Sequence, residues 1–269
     1  GYAMDNLGLK TFGVLYPQDA YGEELMRTFI EEIQSRGGEV KGAEGYDPSQ
    51  TDFGEQIRKL AGLYYLDLRA EERKEWEKHR REEMEVLKER GDVTKLQRLK
   101  KEKWTPSPIV DFEALVIADY YDKVVLITPQ LAYYDVMGVQ LLGTNGWNSP
   151  RLLELGGRYV EGAVFVDAFY KGSQRPQIQD FVENFRKEFS EDPDILSALA
   201  FDATKILMTV IASKGVSTRE DVRQRLSGLR NYVGVTGVTS QSASGDVEKS
   251  LELYRIEEGR IRELETGSE

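Results

Sequence analysis

Short apolar runs alternate with amphipathic stretches along the N-terminal part of the chain. The apolar runs lie at positions 11–16, 114–118, 140–144 and 162–166, and a further strand is predicted at 39–46. Stretches with helical spacing separate several of them, at positions 23–35, 53–63 and 124–134. Short apolar runs are typical of strands buried in a parallel sheet, and the alternation with helices predicts an α/β fold with a doubly wound parallel sheet.

Four strand-to-helix loops should meet at one edge of that sheet. They are residues 17–22, 119–122, 144–148 and the segment after Val166. Right-handed crossovers place the carboxyl ends of parallel strands on the same edge, which is where open α/β sheets bind ligands. We therefore expect a binding site there.

The chain becomes mainly helical after Pro176. Helices are predicted at 177–189, 194–213 and 219–229, followed by a terminal hairpin with strands at 251–256 and 261–264. No further sheet is predicted to cover the first two of these helices. We expect their apolar faces to pack against another copy of the chain, or to rearrange onto their own lobe.

A charged segment interrupts the α/β pattern at residues 67–104. Residues 68–90 are rich in Glu, Lys and Arg without Gly or Pro, which favours a helix. Gly91 and Asp92 then predict a helix end and a new N-cap before a second helix at 93–103. This inserted helical hairpin is either a solvated excursion or a docking arm for a partner or a second copy.

Composition narrows the possible functions. The formal net charge is −11, cysteine is absent and His79 is the single histidine. The negative charge makes the chain a poor candidate for binding nucleic acid. The absence of cysteine excludes disulfides, thiolate metal sites and cysteine nucleophiles, and a single histidine excludes two-histidine mechanisms. Residues 234–237 lack the lysine of a phosphate loop and are predicted to form a turn between lobes. We predict no catalytic residue, cofactor or metal, and hence no enzyme.

Several motifs together resemble a known family. They are Phe12-Gly13-Val14-Leu15-Tyr16-Pro17-Gln18-Asp19-Ala20-Tyr21-Gly22-Glu23, the Tyr46–Phe53 run, Leu142-Gly143-Thr144-Asn145-Gly146-Trp147, Glu161-Gly162-Ala163 and Gly234-Val235-Thr236-Gly237. The chain resembles type I periplasmic binding proteins, in the branch of the branched-chain amino acid receptors. The insertion and the runs at 111–114 and 129–131 are similar to domains of penicillin-binding-protein activators.

The resemblance implies two lobes that close on a ligand. Residues 8–168 would form the second lobe with its insertion, and residues 169–230 would supply helices to a first lobe whose sheet is absent. Residues 231–269 would return to the second lobe and end in the hairpin. Residues 2–7 have the pattern of a helix tail, so we expect a truncated or processed chain that lacks half of the cleft.

The resemblance also implies five ligand-facing positions: Tyr21, Tyr120, Tyr121, Asn145 and Trp147. One of Tyr120 and Tyr121 should face the cleft. The three tyrosines have an alternative interpretation as packing residues, and Trp147 has one as a partly buried surface aromatic. At Asn145, related amino acid receptors carry a carboxylate for the ligand ammonium. A neutral amide supplies no such charge, which argues against binding an amino acid in the same way.

Two functions remain from these observations. One is a non-catalytic, periplasmic or otherwise extracytoplasmic receptor that binds a small polar solute such as an amino acid and works with an ABC permease. The other is an interaction module of the cell envelope that has lost its ligand and contacts an envelope protein. A homo-oligomer formed through the exposed C-terminal helices is compatible with either.

Overall fold

The computed structural model describes residues 1–264, and the chain divides into two compact units. The first comprises Gly1–Asp119 and Lys123–Leu141, and the second comprises Tyr120–Asp122 and the chain from Leu142 onward. The two units are defined by how compactly each is packed. The lobe boundaries predicted at residues 168 and 230 are a different division and stay predictions. The last five residues of the predicted 231–269 segment lie outside the described residues.

The first unit is an α/β layer with an inserted hairpin. Its elements are α1 (Tyr2–Asp5), β1 (Thr11–Pro17), α2 (Ala20–Ser35), β2 (Glu39–Tyr46), α3 (Gly54–Leu60), α4 (Ala70–Glu89), α5 (Val93–Lys101), β3 (Ala114–Ile117) and most of α6 (Tyr121–Tyr133). Strand β1 lies between β2 and β3 and is parallel to both. Strand β4 (Gln140–Gly143) follows β3 in the sheet order, and its first two residues belong to this unit.

The core of the first unit explains why these runs are apolar. Phe12, Val14 and Leu15 of β1 are buried, as are all four residues of β3. Helix α3 contributes the fully buried Ile57. Strands that are covered on both faces need apolar residues in succession, so the unbroken runs predicted parallel strands correctly.

The inserted hairpin is confirmed. Helices α4 and α5 are joined at Gly91, which has a positive φ of 70°, and Asp92 caps α5 by accepting from the Lys95 backbone N–H. Arg80 of α4 donates to the carbonyl oxygens of Leu99 and Lys100 at 2.9 and 2.8 Å, and so satisfies the C-terminal end of α5. Of the residues of α4 and α5, Leu87 is buried, so the hairpin has very little core of its own.

The second unit contains the rest of the chain. Its elements are the end of β4, α7 (Pro150–Gly156), β5 (Val164–Asp167), α8 (Pro176–Phe189), α9 (Ile195–Ile211), α10 (Arg219–Ser227), β6 (Tyr232–Gly234), β7 (Gly237–Gln241), β8 (Val247–Lys249), β9 (Glu252–Glu257) and β10 (Arg260–Leu264). Strand β5 is parallel to β4, and the terminal hairpin β9–β10 adds two antiparallel strands beside β5. The strand order β4-β5-β9-β10 completes a large, mostly parallel sheet.

Helices α8 and α9 pack partly on their own unit. Their inner faces form a small core with Phe169 and Val235. The outer face of α9 still carries exposed apolar side chains, among them Leu196, Met208 and Ile211. Rearrangement of these helices onto the predicted second lobe and association with another copy both stay predictions.

Three local features differ from the sequence expectations. Helix α2 begins at Ala20 rather than at residue 23, because Asp19 accepts a hydrogen bond from the Gly22 N–H and caps the helix early. Helix α7 was not predicted. The segment predicted as a turn between lobes is the tip of the β6–β7 hairpin within a three-stranded sheet, β6-β7-β8. Within residues 1–264, no helix is long and apolar enough to cross a membrane.

Candidate functional site

A cleft of about 510 Å³ lies at the carboxyl ends of β4 and β5 in the second unit. We call it the strand-end cleft. Polar and charged residues in its lining are Asn145, Asn148, Asp167, Lys171, Arg186, Asp192 and Asp194. Apolar side chains, including Leu153, Phe169 and Ile195, complete the walls. The size and the mixture of apolar walls with a few polar groups are typical of small-molecule sites.

Asp167 and Asn148 connect the two strand-end loops of the cleft. The parallel pairing of Leu142 with Val164 brings the ends of β4 and β5 side by side. The Asn148 Nδ2 donates to Asp167 Oδ2 and to the Phe169 carbonyl oxygen, both at 2.7 Å. The backbone N–H of Ala168 donates to the other Asp167 oxygen at 2.6 Å. This carboxyl group is therefore held in one orientation.

Among the described residues that line the cleft, Asp167 is the charged residue that is buried, and 5% of its surface is exposed. Burial raises the pKa of its carboxyl group above the ordinary value, and the hydrogen bonds from Asn148, Ala168 and Phe169 oppose that rise. Desolvation disfavours the ionised form when no opposite charge compensates it.

A three-residue ion cluster forms another part of the lining. Lys171 Nζ lies 2.7 Å from Asp192 Oδ2, and Arg186 Nε lies 2.6 Å from Asp192 Oδ1. Hydrogen bonds from both cations lower the pKa of Asp192 to about 2. The carboxylate of Asp192 is thus already neutralised by its neighbours.

Two of the predicted ligand residues lie together in this unit. Asn145 follows β4 and lines the strand-end cleft. Tyr120 lies against the next residue, Gly146, since a Cβ placed there would come within 2.9 Å of the Tyr120 ring. Half of the Tyr120 side chain is exposed, so it could contact a solute beside Asn145.

The other two predicted residues of this unit have different surroundings. Trp147 is fully buried, and its ring occupies the space above Gly143 where a Cβ would otherwise stand. It therefore supports the loop from inside. Tyr121 lies beside Arg151, and its hydroxyl raises the pKa of that guanidinium.

Tyr21 belongs to the first unit. It lies in the first turn of α2 and is 36% exposed. In the same unit, the Tyr46 hydroxyl donates to buried Asp119 Oδ2 at 2.8 Å. The Asp19 carboxylate caps α2, and the Asp119 carboxylate accepts from Tyr46.

Sequence reasoning did not single out Asp167. The sequence feature that could have identified it is a carboxylate at the end of an apolar run, in a loop already predicted to lie at the ligand edge. Within residues 1–264 no group of three or more His, Asp or Glu side chains is placed to hold a metal ion.

The family of the chain follows from a comparison of sequences. The family model described as periplasmic binding protein matches residues 109–260, which is more than half of the chain. The chain belongs to the periplasmic binding protein family. The match begins just after the inserted hairpin and includes every lining residue of the strand-end cleft except Ile261.

Solved structures show that this periplasmic binding protein has the type I fold. A structure assigned to a branched-chain amino acid ABC transporter from Rhodospirillum rubrum is 21% identical, with a TM-score of 0.74 over 97% of this chain and 62% of that chain. The transporter substrate binding protein LivJ from Streptococcus pneumoniae, in complex with isoleucine, is 19% identical, with a TM-score of 0.60 over 97% of this chain and 60% of that chain.

A third neighbour has a different ligand. The solute binding protein of an ABC transporter from R. palustris, in complex with benzoate, is 15% identical, with a TM-score of 0.62 over 97% of this chain and 59% of that chain. This periplasmic binding protein therefore spans about three fifths of the length of each of these structures. Among curated proteins, no sequence matches it.

Proposed function

We propose that this chain binds a small polar solute in the strand-end cleft, without transforming it. The observation that carries the proposal is the cleft itself: amides, a buried carboxylate and apolar walls converge at the carboxyl ends of two parallel strands. Such an arrangement can orient a small molecule through hydrogen bonds and cover its apolar part. The ligand would be an amino acid or a related solute, and closure of two lobes would hold it.

The setting follows the family. We propose an extracytoplasmic, periplasmic protein that delivers its solute to an ABC permease. The neighbours with bound isoleucine and benzoate support solutes of this size, one with an ammonium group and one without. Both support a ligand with a compact apolar part.

Five residues remain the proposed ligand site, with different roles. Asn145 and Tyr120 would contact the solute directly, and Tyr121 would contribute a hydroxyl group from the same loop. Trp147, being buried, would shape the loop from below. Tyr21 lies in the first unit and stays a separate candidate there.

Calorimetry of the purified chain against amino acids, aromatic carboxylates and small amines tests the proposal. We expect saturable one-to-one binding of at least one solute. Asn145→Ala should weaken that binding roughly five- to tenfold, because it removes a hydrogen-bonding amide. Asn6→Ala is the matched control, since Asn6 is an exposed asparagine of the first unit. Absence of saturable binding to every solute would refute the proposal.

The inserted hairpin favours a second candidate function. Leu68 is 85% exposed at its beginning and Val93 is 61% exposed at the start of α5. In this alternative the protein is an interaction module of the cell envelope, similar to penicillin-binding-protein activators, without a small ligand. Purified penicillin-binding proteins should then bind the chain, and Leu68→Glu together with Val93→Glu should abolish the complex. Retention of the complex by that double variant would contradict this role for the hairpin.

A further inference from the structure

The charged side chains of the strand-end cleft differ in how their charges are compensated. Lys171 and Arg186 are both paired with Asp192. Asp194 is exposed and caps α9, where it accepts from the Ser197 N–H at 2.8 Å. Its charge is favoured by the positive end of the helix dipole.

The hydrogen-bond partners of Asp167 supply no positive charge to balance its carboxylate. Its partners are the neutral amide of Asn148 and the backbone N–H groups of Ala168 and Phe169. Three neutral donors orient the carboxyl group without supplying a positive charge. The side chain is nonetheless buried at the wall of a cleft that is large enough for a small solute.

We propose that Asp167 is the anionic anchor for the ammonium group of a small amine-bearing solute in the strand-end cleft. This inference rests on the proposed solute-binding function and assigns it a ligand class and a specificity-determining residue. Asn145, which follows β4 in the same cleft, is neutral, so the negative charge would come from the end of the neighbouring strand β5.

The physical reason lies in the cost of a buried charge. A carboxylate with only neutral donors loses hydration on burial and regains only part of it from hydrogen bonds. A ligand ammonium would provide the missing opposite charge, and it would meet a carboxylate that Asn148 already holds in place. Pre-orientation of this kind reduces the entropic cost of binding.

The charged and titratable groups around the anchor set its pH dependence. They are Tyr170, Lys171, Arg186, Asp192 and Asp194 in the cleft lining, Tyr254 and Glu252 of the neighbouring strand β9, and Arg175, which is paired with Glu252. Tyr254 is buried with a raised pKa, so it stays neutral in the working range. Since the Asp167 pKa is raised, affinity for an ammonium should fall as the pH is lowered and the carboxylate takes up a proton.

The experiment uses three probes of similar apolar shape: isoamylamine, which has only the ammonium, isocaproate, which has only the carboxylate, and leucine, which has both. Calorimetry on the unmodified chain should give affinities for isoamylamine and leucine at least about tenfold above that for isocaproate. Between about pH 7.5 and about pH 5, affinity for isoamylamine should fall.

Asp167→Asn should weaken isoamylamine and leucine binding by on the order of 30-fold or more, leave isocaproate within about threefold, and remove the pH dependence. Asp180→Asn is the matched control, because it removes the same charge from an exposed position of the same unit outside the cleft. Its affinities should stay within about threefold of the unmodified chain.

Each outcome decides the inference. Equal or tighter binding of isocaproate by the unmodified chain overturns it, and so does amine binding that Asp167→Asn retains. If Asp167→Asn does not fold, the comparison of probes and the pH series on the unmodified chain still decide. If another solute binds but the two amines do not, the inference fails and the proposed function stands. If no solute binds at all, both fail.

Discussion

The contact between Asp202 and the tip of the β6–β7 hairpin makes a strong prediction about stability. Asp202 of α9 is 3% exposed, and its carboxylate accepts from the backbone N–H groups of Val235 and Thr236 at 2.9 and 2.8 Å. It also accepts from the Thr236 hydroxyl. Gly234 fits beside it only because it lacks a side chain: a Cβ there would lie 2.3 Å from the carboxylate.

The magnitudes follow from these contacts. Asp202→Ala leaves two buried N–H groups and a hydroxyl without an acceptor, which should lower the free energy of unfolding by about 4 kcal/mol. Asp202→Asn retains one acceptor oxygen and should lose about 2 kcal/mol. Gly234→Ala should lose about 3 kcal/mol, because the new methyl group collides with the carboxylate.

Urea unfolding followed by far-ultraviolet circular dichroism measures each change. The double variant is the sharper test: once Asp202 is alanine, Gly234→Ala should cost less than about 1 kcal/mol, which is a coupling of about 2 kcal/mol. Asp180→Ala, the same change at an exposed position of α8, should stay within about 0.5 kcal/mol of the unmodified chain.

Two results would refute this reasoning. One is a loss below about 1 kcal/mol in Asp202→Ala, which would mean that the hairpin tip finds other acceptors. The other is an equal cost of Gly234→Ala with and without the carboxylate, which would assign the cost to the backbone rather than to the collision.

Two further predictions concern the strand-end loops. Gly143→Ala would place a methyl group 2.2 Å from the Trp147 ring. Thermal unfolding should therefore show a loss of about 2–3 kcal/mol in the free energy of unfolding, and a much smaller loss would contradict this packing. Asp192, with its pKa lowered to about 2 by Lys171 and Arg186, binds fewer protons in the folded state, so the stability that it contributes is present above its ordinary pKa and is lost as the pH falls toward 2. Acid titration of Asp192→Asn should show a smaller loss in that range, and an unchanged acid transition would contradict it.

Local signals predicted the elements that local contacts stabilise. The inserted hairpin was predicted from Gly91 and Asp92, and the structure has a positive φ at the first and an N-cap at the second. The terminal hairpin was predicted with strands at 251–256 and 261–264, and the two residues of its turn, Glu258 and Gly259, both have positive φ. Such turns depend on the residues within them, so the sequence is sufficient.

Elements that depend on distant partners were not predicted. Strands β6 and β8 have three residues each, too short for a pattern to be distinguished from a loop. The position of Asp202, which holds the β6–β7 tip, is remote in sequence. The start of α2 was placed three residues late because Asp19 was assigned to a loop rather than to the cap.

The candidate site shows the same limit. Strand order predicted that the loops of Asn145 and Tyr120 meet at one edge, and the resemblance implied that both residues face a ligand. The structure places both in the second unit near Gly146. Burial of Trp147 and the role of Asp167 could not be predicted, because they depend on which side of the loop faces the interior.

The hydrogen bonds of Arg69 bear on how the inserted hairpin was acquired. Its Nη1 donates to the carbonyl oxygens of both Gly62 and Ser107, at 3.3 and 2.8 Å, so the chain leaves the α/β layer and returns to it within two hydrogen-bond lengths. The Ile109 N–H bonded to the Ala61 carbonyl oxygen brings the two flanks together again. A gene could therefore gain or lose the intervening codons without displacing either flank, and a short glycine bridge should be enough to excise the segment in the laboratory.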